Sequence, residues 1–298
     1  MHQLNQHQQG IKLLTAIAIN LIITVSQVIG GIISGSISLL SDALHNLSDV
    51  LALVLSWVAT KLSLKQNTTG KTFGFKRAEM MAAFINAAAL IVIAVYLIIE
   101  AVKRFLNPQI IESSWVIWLA GLSIVLNGIS VWILHHDSKH SLNIKSAYIH
   151  LLTDMFTSIA VLLGGVLIKL YEIYWLDGLL TLLIAGYIIF STWKILMESM
   201  RVLMMFTPSE VEIESIKNKI CKLPDIANIH HVHAWQLTDH QIHFEAHIDF
   251  IKDLKLSEVE NNLNKIRTIL YRDYHIEHVT LQPEFDHCDH KDLVSQHA

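Results

Sequence analysis

The sequence predicts an all-α six-helix transmembrane bundle over residues 11–206, followed by a C-terminal cytosolic α+β domain (order α-β-β-α-β) over residues 207–285. Three observations carry that prediction. The 298 residues are 52% hydrophobic and only 16% charged, where soluble domains carry roughly 25% charged residues. Mean hydropathy is +0.44. The apolar residues gather into six runs, each near the roughly 20 residues that a span through lipid requires. An ordinary soluble enzyme is thereby excluded. The net charge of −4 gives no basis for nucleic-acid binding. The two cysteines, Cys221 and Cys288, are too few and too late in the chain for a disulfide framework.

Residues 1–10 are polar, carry His2 and His7, and are expected to form a disordered cytosolic tail. Metal capture by those histidines and plain solvation both fit such a tail. The N-terminus lacks the charged region and small-residue cleavage site of a signal peptide, so the first apolar helix is expected to stay. The six spans are expected at about 11–33, 37–62, 79–102, 114–134, 144–169 and 178–200. Gly30, Gly31, Gly121, Gly128, Gly164 and Gly165 would let helices approach closely, and Asn20, Gln27 and Asn127 would hydrogen-bond between them. The connections after the second and fourth spans hold Lys61, Lys65, Lys71, Lys76, Arg77, Lys139 and Lys145; the opposite side holds Lys103, Arg104 and Lys169. The positive-inside rule therefore places both termini in the cytoplasm.

Beyond residue 206, Thr207-Pro208-Ser209-Glu210 reads as a capping box with Pro at the first helical position. Ile213, Ile216 and Ile220 then recur at helical spacing. Residues 229–237 and 241–250 alternate as strands. Strict alternation puts His231, His233 and Trp235 on one face of the first. In the second, His243, Glu245, His247 and Asp249 lie opposite Ile242, Phe244, Ala246, Ile248 and Phe250. Ser257 and Glu260 suggest a second capping box, and a last strand covers about 275–282.

Chemistry concentrates in two pairs, His45 with Asp49 and His150 with Asp154. Only these two of the 18 histidines lie within the apolar helices. Positions four apart share one face of a helix, one turn apart. Ionisable groups at membrane depth are costly and mark function. One such pair also fits a hydrogen bond between helices; two copies in two helices point to one shared site. Two imidazoles and two carboxylates suit tetrahedral zinc, and the two Asp charges would cancel that of a divalent ion. Asp42, three residues before His45, is read either as an interhelical hydrogen-bonding group or as an aid to entry of an ion or proton.

The chain resembles the cation diffusion facilitator family, and within it the bacterial zinc exporters. The matching stretches are Ser38-Leu39-Leu40-Ser41-Asp42-Ala43-Leu44-His45, Thr72-Phe73-Gly74-Phe75-Lys76-Arg77-Ala78-Glu79, Ser141-Leu142-Asn143 with His150 and Asp154, and His278-Val279-Thr280-Leu281-Gln282. The resemblance covers nearly the whole length. It implies a homodimer in the inner membrane, a metallochaperone-like fold for the cytosolic domain, and metal export against protons. It implies a transport site of His45, Asp49, His150 and Asp154, and a cytosolic zinc site of His233, His247 and Glu284. Gln282 stands where some members have a further His, and Gln27 where many have Glu. The loop Lys65–Lys71 holds no His, Asp or Glu, so a zinc site found there in some members is expected to be absent.

Two further segments are candidate zinc collectors: His135, His136 and His140 in one loop, and His287, Cys288 and His290 in the tail 286–298. Weakly binding, solvated segments fit them equally. A membrane metallohydrolase would need an open metal position and a general base, as in His-Glu-x-x-His on a helix; the chain has no such motif. A membrane-anchored zinc sensor is the remaining alternative, and mid-membrane ligand pairs argue against it. Zinc leads as the transported ion, with cadmium, cobalt, nickel and iron(II) sharing its ligand chemistry.

Overall fold

The computed structural model describes residues 2–135, 142–238, 241–286 and 291–294. Eight helices and three strands follow one another among these residues: α1 (His2–Ser34), α2 (Ile37–Ser63), α3 (Ala78–Leu106), α4 (Ser113–His135), α5 (Leu142–Tyr171), α6 (Trp175–Leu203), α7 (Ile213–Ile220), β1 (Ile226–Gln236), β2 (Ile242–Phe250), α8 (Leu256–Tyr274) and β3 (His278–Glu284). Six of the helices are long and apolar enough to cross a membrane. α1 begins at His2, so residues 2–10, expected as a disordered tail, continue the helix. That segment contains no proline, and extending a formed helix costs far less than starting one.

The chain divides into two units. The first comprises Met1–Trp57 and Ile85–Leu196. Its core includes Leu39, Leu90, Ala94, Leu97, Val116, Ala120, Val161 and Ile188. Large apolar side chains also point outward: Trp118 is 78% and Phe190 83% exposed, as spans bathed in hydrocarbon require. Gly165 allows α5 to lie on α4, where an added Cβ would stand 3.1 Å from Val116 Cγ1. At Gly121, expected in the same role, an added Cβ would meet no atom of another element within 4 Å.

The start of α2 is held from afar. Asp177, in the first turn of α6, is 1% exposed. Its carboxylate accepts hydrogen bonds from the backbone N–H of Ile37 (2.9 Å) and Ser38 (3.2 Å) and from the hydroxyls of Ser36 (2.6 Å) and Ser38 (2.5 Å). A carboxylate satisfies the orphan N–H groups of a helix start and complements the positive end of its dipole. Arg104 donates to the Gly35 carbonyl at 2.6 Å, closing the same α1–α2 turn.

The second unit comprises Val58–Phe84 and Met197–Ala298. Its sheet has the order β1-β2-β3, with β1 antiparallel and β3 parallel to β2. Ile242, Phe244, Ala246, Ile248 and Phe250 of β2 face a core shared with Ile216 and Ile220 of α7 and with Leu263, Ile266 and Leu270 of α8. Both expected capping boxes are displaced. α7 begins only at Ile213, because Glu212 is extended and Val211 turns into the core. α8 begins two residues before the expected box, with Glu258 accepting from the Lys255 N–H at 3.0 Å.

Candidate metal centres

α2 carries His45 and Asp49 one turn apart, and α5 carries His150 and Asp154 in the same way; the structure brings the two pairs together. His45 Nε2 stands 3.7 Å from Asp49 Oδ2 and 3.9 Å from Asp154 Oδ1. His150 Nε2 stands 3.3 Å from Asp49 Oδ2 and 3.6 Å from Asp154 Oδ2. Bonds of about 2.0–2.1 Å from a tetrahedral zinc would separate neighbouring ligand atoms by roughly 3.3–3.4 Å. These four His-to-Asp distances, in which Asp154 offers one oxygen to each imidazole, are close to that spacing. Three of the converging oxygens are buried and without a hydrogen bond of acceptable geometry: both of Asp154 and Asp49 Oδ2. Buried polar atoms are otherwise almost always satisfied, and converging carboxylate oxygens beside two imidazoles are a donor set that suits a cation. Access is uneven: the Asp154 side chain is 1% exposed and that of His150 is 40% exposed.

The polar face of the sheet forms a second cluster. His230, His247 and Glu284 offer ligand atoms that all lie within 4.8 Å of one another. His247 Nδ1 is 2.7 Å and His230 Nε2 3.3 Å from the Glu284 carboxylate. Asp249 lies 3.5 Å from His230 Nδ1 and is itself paired with Lys291 at 3.1 Å. Gln282 donates to Glu284 at 2.9 Å. Of the three residues that the family resemblance implies, His247 and Glu284 lie together, with His230 and not His233 as their neighbour.

The cause is a bulge in β1. His230 pairs with His247 and His233 with Glu245, leaving two residues of β1 opposite Ala246 alone. His231 takes φ 51° there. An extra residue in one strand reverses the phase of everything beyond it. His230 therefore joins the polar face, which strict alternation assigned to His231. The His231 ring instead stacks on His247, with centroids 4.6 Å apart. His233 lies beside Glu245 and Trp235 in a separate cleft. Ile229, Val232 and Ala234 are all buried, a spacing of three and then two that matches the bulge.

Two other histidines make ring contacts. His243 is buried, stacked on Trp235 at 5.3 Å and close to His278 at 4.3 Å and Phe73 at 5.5 Å. Burial holds its imidazole below the ordinary value, and His278 and Arg77 push it the same way. His135 ends α4 with its ring 5.7 Å from Tyr148. His136, His140, His287, Cys288 and His290 lie outside the described residues.

Residues 13–204 match the cation efflux transmembrane domain, and residues 208–286 match the cytoplasmic domain of cation efflux proteins. The cadmium, cobalt and zinc/H(+)-K(+) antiporter of Bacillus subtilis (strain 168) is 35% identical over 270 residues, 90% of this chain and 86% of that protein. Zinc transporter ZitB of Escherichia coli (strain K12) is 32% identical over 279 residues, 93% and 88% of the two chains. The metal cation efflux system protein CzcD of Cupriavidus metallidurans is 30% identical over 282 residues, 95% and 88% of the two.

Proposed function

The chain belongs to the cation efflux family, and from that premise we propose that it exports zinc from the cytoplasm in exchange for protons through His45, Asp49, His150 and Asp154. It is a multi-pass membrane transporter of divalent metal ions and not an enzyme, and its C-terminal domain is of a dimerising type. The observation that carries the site is the convergence of two imidazoles and two carboxylates, with His-to-Asp distances of 3.3–3.9 Å, on two helices long and apolar enough to cross a membrane. Two Asp charges neutralise a divalent ion, which a low-dielectric interior demands. Four ligands complete a tetrahedron and leave no open position for a reacting water.

Exchange for protons follows from ligand chemistry. Imidazole and carboxylate bind a metal only when deprotonated, so zinc binding expels whatever protons they hold. A site that loads zinc on the cytoplasmic side and protons on the other runs export on the proton gradient. The working form is a homodimer in the inner membrane, with both termini in the cytoplasm. The cluster of His230, His247 and Glu284 holds a resident zinc ion of structural or regulatory role in the cytosolic domain. Cadmium and cobalt form a second substrate reading, because the Bacillus subtilis relative is named for both and their ligand preferences overlap those of zinc.

The test is metal flux into proteoliposomes under an imposed pH gradient, for the wild type and for Asp154→Ala. Gradient-dependent zinc flux in the first and none in the second is expected. Equal flux in both overturns the four-ligand site. Zinc binding without flux in either overturns transport and leaves a membrane-anchored zinc sensor.

A further inference from the structure

A chain of buried polar side chains begins one turn from the four ligands. Asp42 precedes His45 by three residues on α2, which puts both on one face of the helix. It is 1% exposed. Its Oδ2 accepts a hydrogen bond from Gln27 Nε2 of α1 at 2.7 Å and from Ser158 Oγ of α5 at 3.2 Å. Its Oδ1 accepts one from Thr157 Oγ1 of α5 at 2.9 Å. Gln27 is in turn fixed by Asn46 Nδ2 of α2, which donates to its Oε1 at 3.1 Å. Ser158 lies 2.8 Å from Ser123 Oγ of α4, and Asn127 donates to that same hydroxyl at 3.3 Å.

Two features set this apart from ordinary helix-to-helix glue. Every bond at Asp42 comes from a neutral donor, so the carboxylate acts as an acceptor hub. The hub also lies between the two ligand-bearing turns: Asp42 is one turn from His45, and Thr157 is one turn from Asp154, whose carbonyl its hydroxyl also contacts at 2.9 Å. A slip of α2 along α5 that separated His45 from Asp154 would also stretch the Thr157 and Ser158 bonds. Side chains that orient metal ligands without touching the metal typically govern affinity by 10–100-fold when removed.

We infer that Asp42 is a positioning residue for the transport site, fixing the spacing of His45 and Asp49 against His150 and Asp154 by tying α2 to Thr157 and Ser158, with Gln27 aiming its carboxylate. The inference rests on the four-ligand reading of that site. Asparagine at position 42 keeps most of the hub: its amide oxygen accepts from Gln27 and Ser158, and its amide nitrogen donates to the Thr157 oxygen. Alanine keeps none of it.

The experiment measures zinc affinity of the full-length protein by competition with a chelating dye, and the KM and maximal rate of zinc flux in proteoliposomes. Binding is measured in a His247→Ala background, so that it reports the membrane site, and flux is measured with His247 in place. Asp42→Ala is expected to raise both the dissociation constant and KM by about 10–100-fold, with the maximal rate changed much less. Asp42→Asn is expected to restore most of that loss. Unchanged affinity and KM in Asp42→Ala overturns the inference. So does an Asp42→Asn variant as weak as Asp42→Ala, which would make the charge and not the bonding the active property. Should Asp42→Ala fail to assemble, Thr157→Val with Ser158→Ala removes the α5 donors and leaves the carboxylate. A rise in the dissociation constant of that double variant supports the inference, and an unchanged one overturns it. Asp49→Ala is the reference: wild-type zinc affinity in that variant overturns the four-ligand reading itself, separately from any result at Asp42.

Discussion

The membrane cluster and the sheet cluster use the same ligand types on different backbones, and the difference shows what spacing alone can reveal. In lipid, every backbone polar group must be satisfied within its own segment, so a span is a continuous helix. Four residues there always mean one turn, and His45 to Asp49 and His150 to Asp154 converge without any irregularity. A strand carries no such guarantee. One bulge at His231 reverses the phase of β1 and brings His230 to His247 and Glu284. Charge differs too. The membrane set has two carboxylates with its two imidazoles, whereas in the sheet one carboxylate joins two imidazoles and the neighbouring Asp249 is committed to Lys291.

The largest expected break in this comparison comes from His45→Asp. It replaces one of two nitrogen donors by oxygen, which favours harder cations such as manganese over zinc. Zinc flux is expected to fall by an order of magnitude or more and manganese flux to rise, measured side by side in proteoliposomes. Next in size is the bulge itself. In an Asp49→Ala background, which silences the membrane site, His230→Ala is expected to remove the remaining tightly bound zinc in equilibrium dialysis. His233→Ala is expected to retain it; the reverse result would return the cytosolic site to strict alternation.

Smaller again is Asp177→Ala, which strips acceptors from four donors at the start of α2. Buried donors left unsatisfied cost about 1–3 kcal/mol each, less whatever water recovers. A clear drop in melting temperature in detergent is expected while zinc affinity stays within a few-fold. The smallest effect belongs to Lys219, an exposed side chain 2.6 Å from Asp273. Water screens such pairs, so Lys219→Ala is expected to leave both melting temperature and flux unchanged. That contrast separates charges placed for function from charges placed for solubility.

The six spans and the order of the C-terminal elements were legible because each rests on a strong period: long apolar runs in the first unit, and the alternation of Ile242 to Phe250 in the second. The capping boxes were not, because Thr207 and Ser257 satisfy the motif locally while the burial of Val211 and the turn at Lys255 decide where the helices start. His230 was hidden for a related reason, since a bulge is a property of pairing and not of one strand. Gln27 and Asp42 were visible as polar residues within apolar helices, but only the meeting of α1, α2 and α5 shows that they bond to each other. Thr157 and Ser158 carried no signal of their own.

The carboxylate of Asp177 also dictates an order of manufacture. It reaches back 139 to 141 residues to its partners at the head of α2. During synthesis α2 enters the bilayer long before α6 exists, with Ser36, Ile37 and Ser38 still looking for an acceptor. The first hairpin is therefore provisional until the last span arrives and latches it. A polypeptide cut short before Asp177 contains all four proposed zinc ligands yet lacks the clasp at the top of the helix that bears two of them. The head of α2 therefore gains its buried acceptor only once the last span has been made.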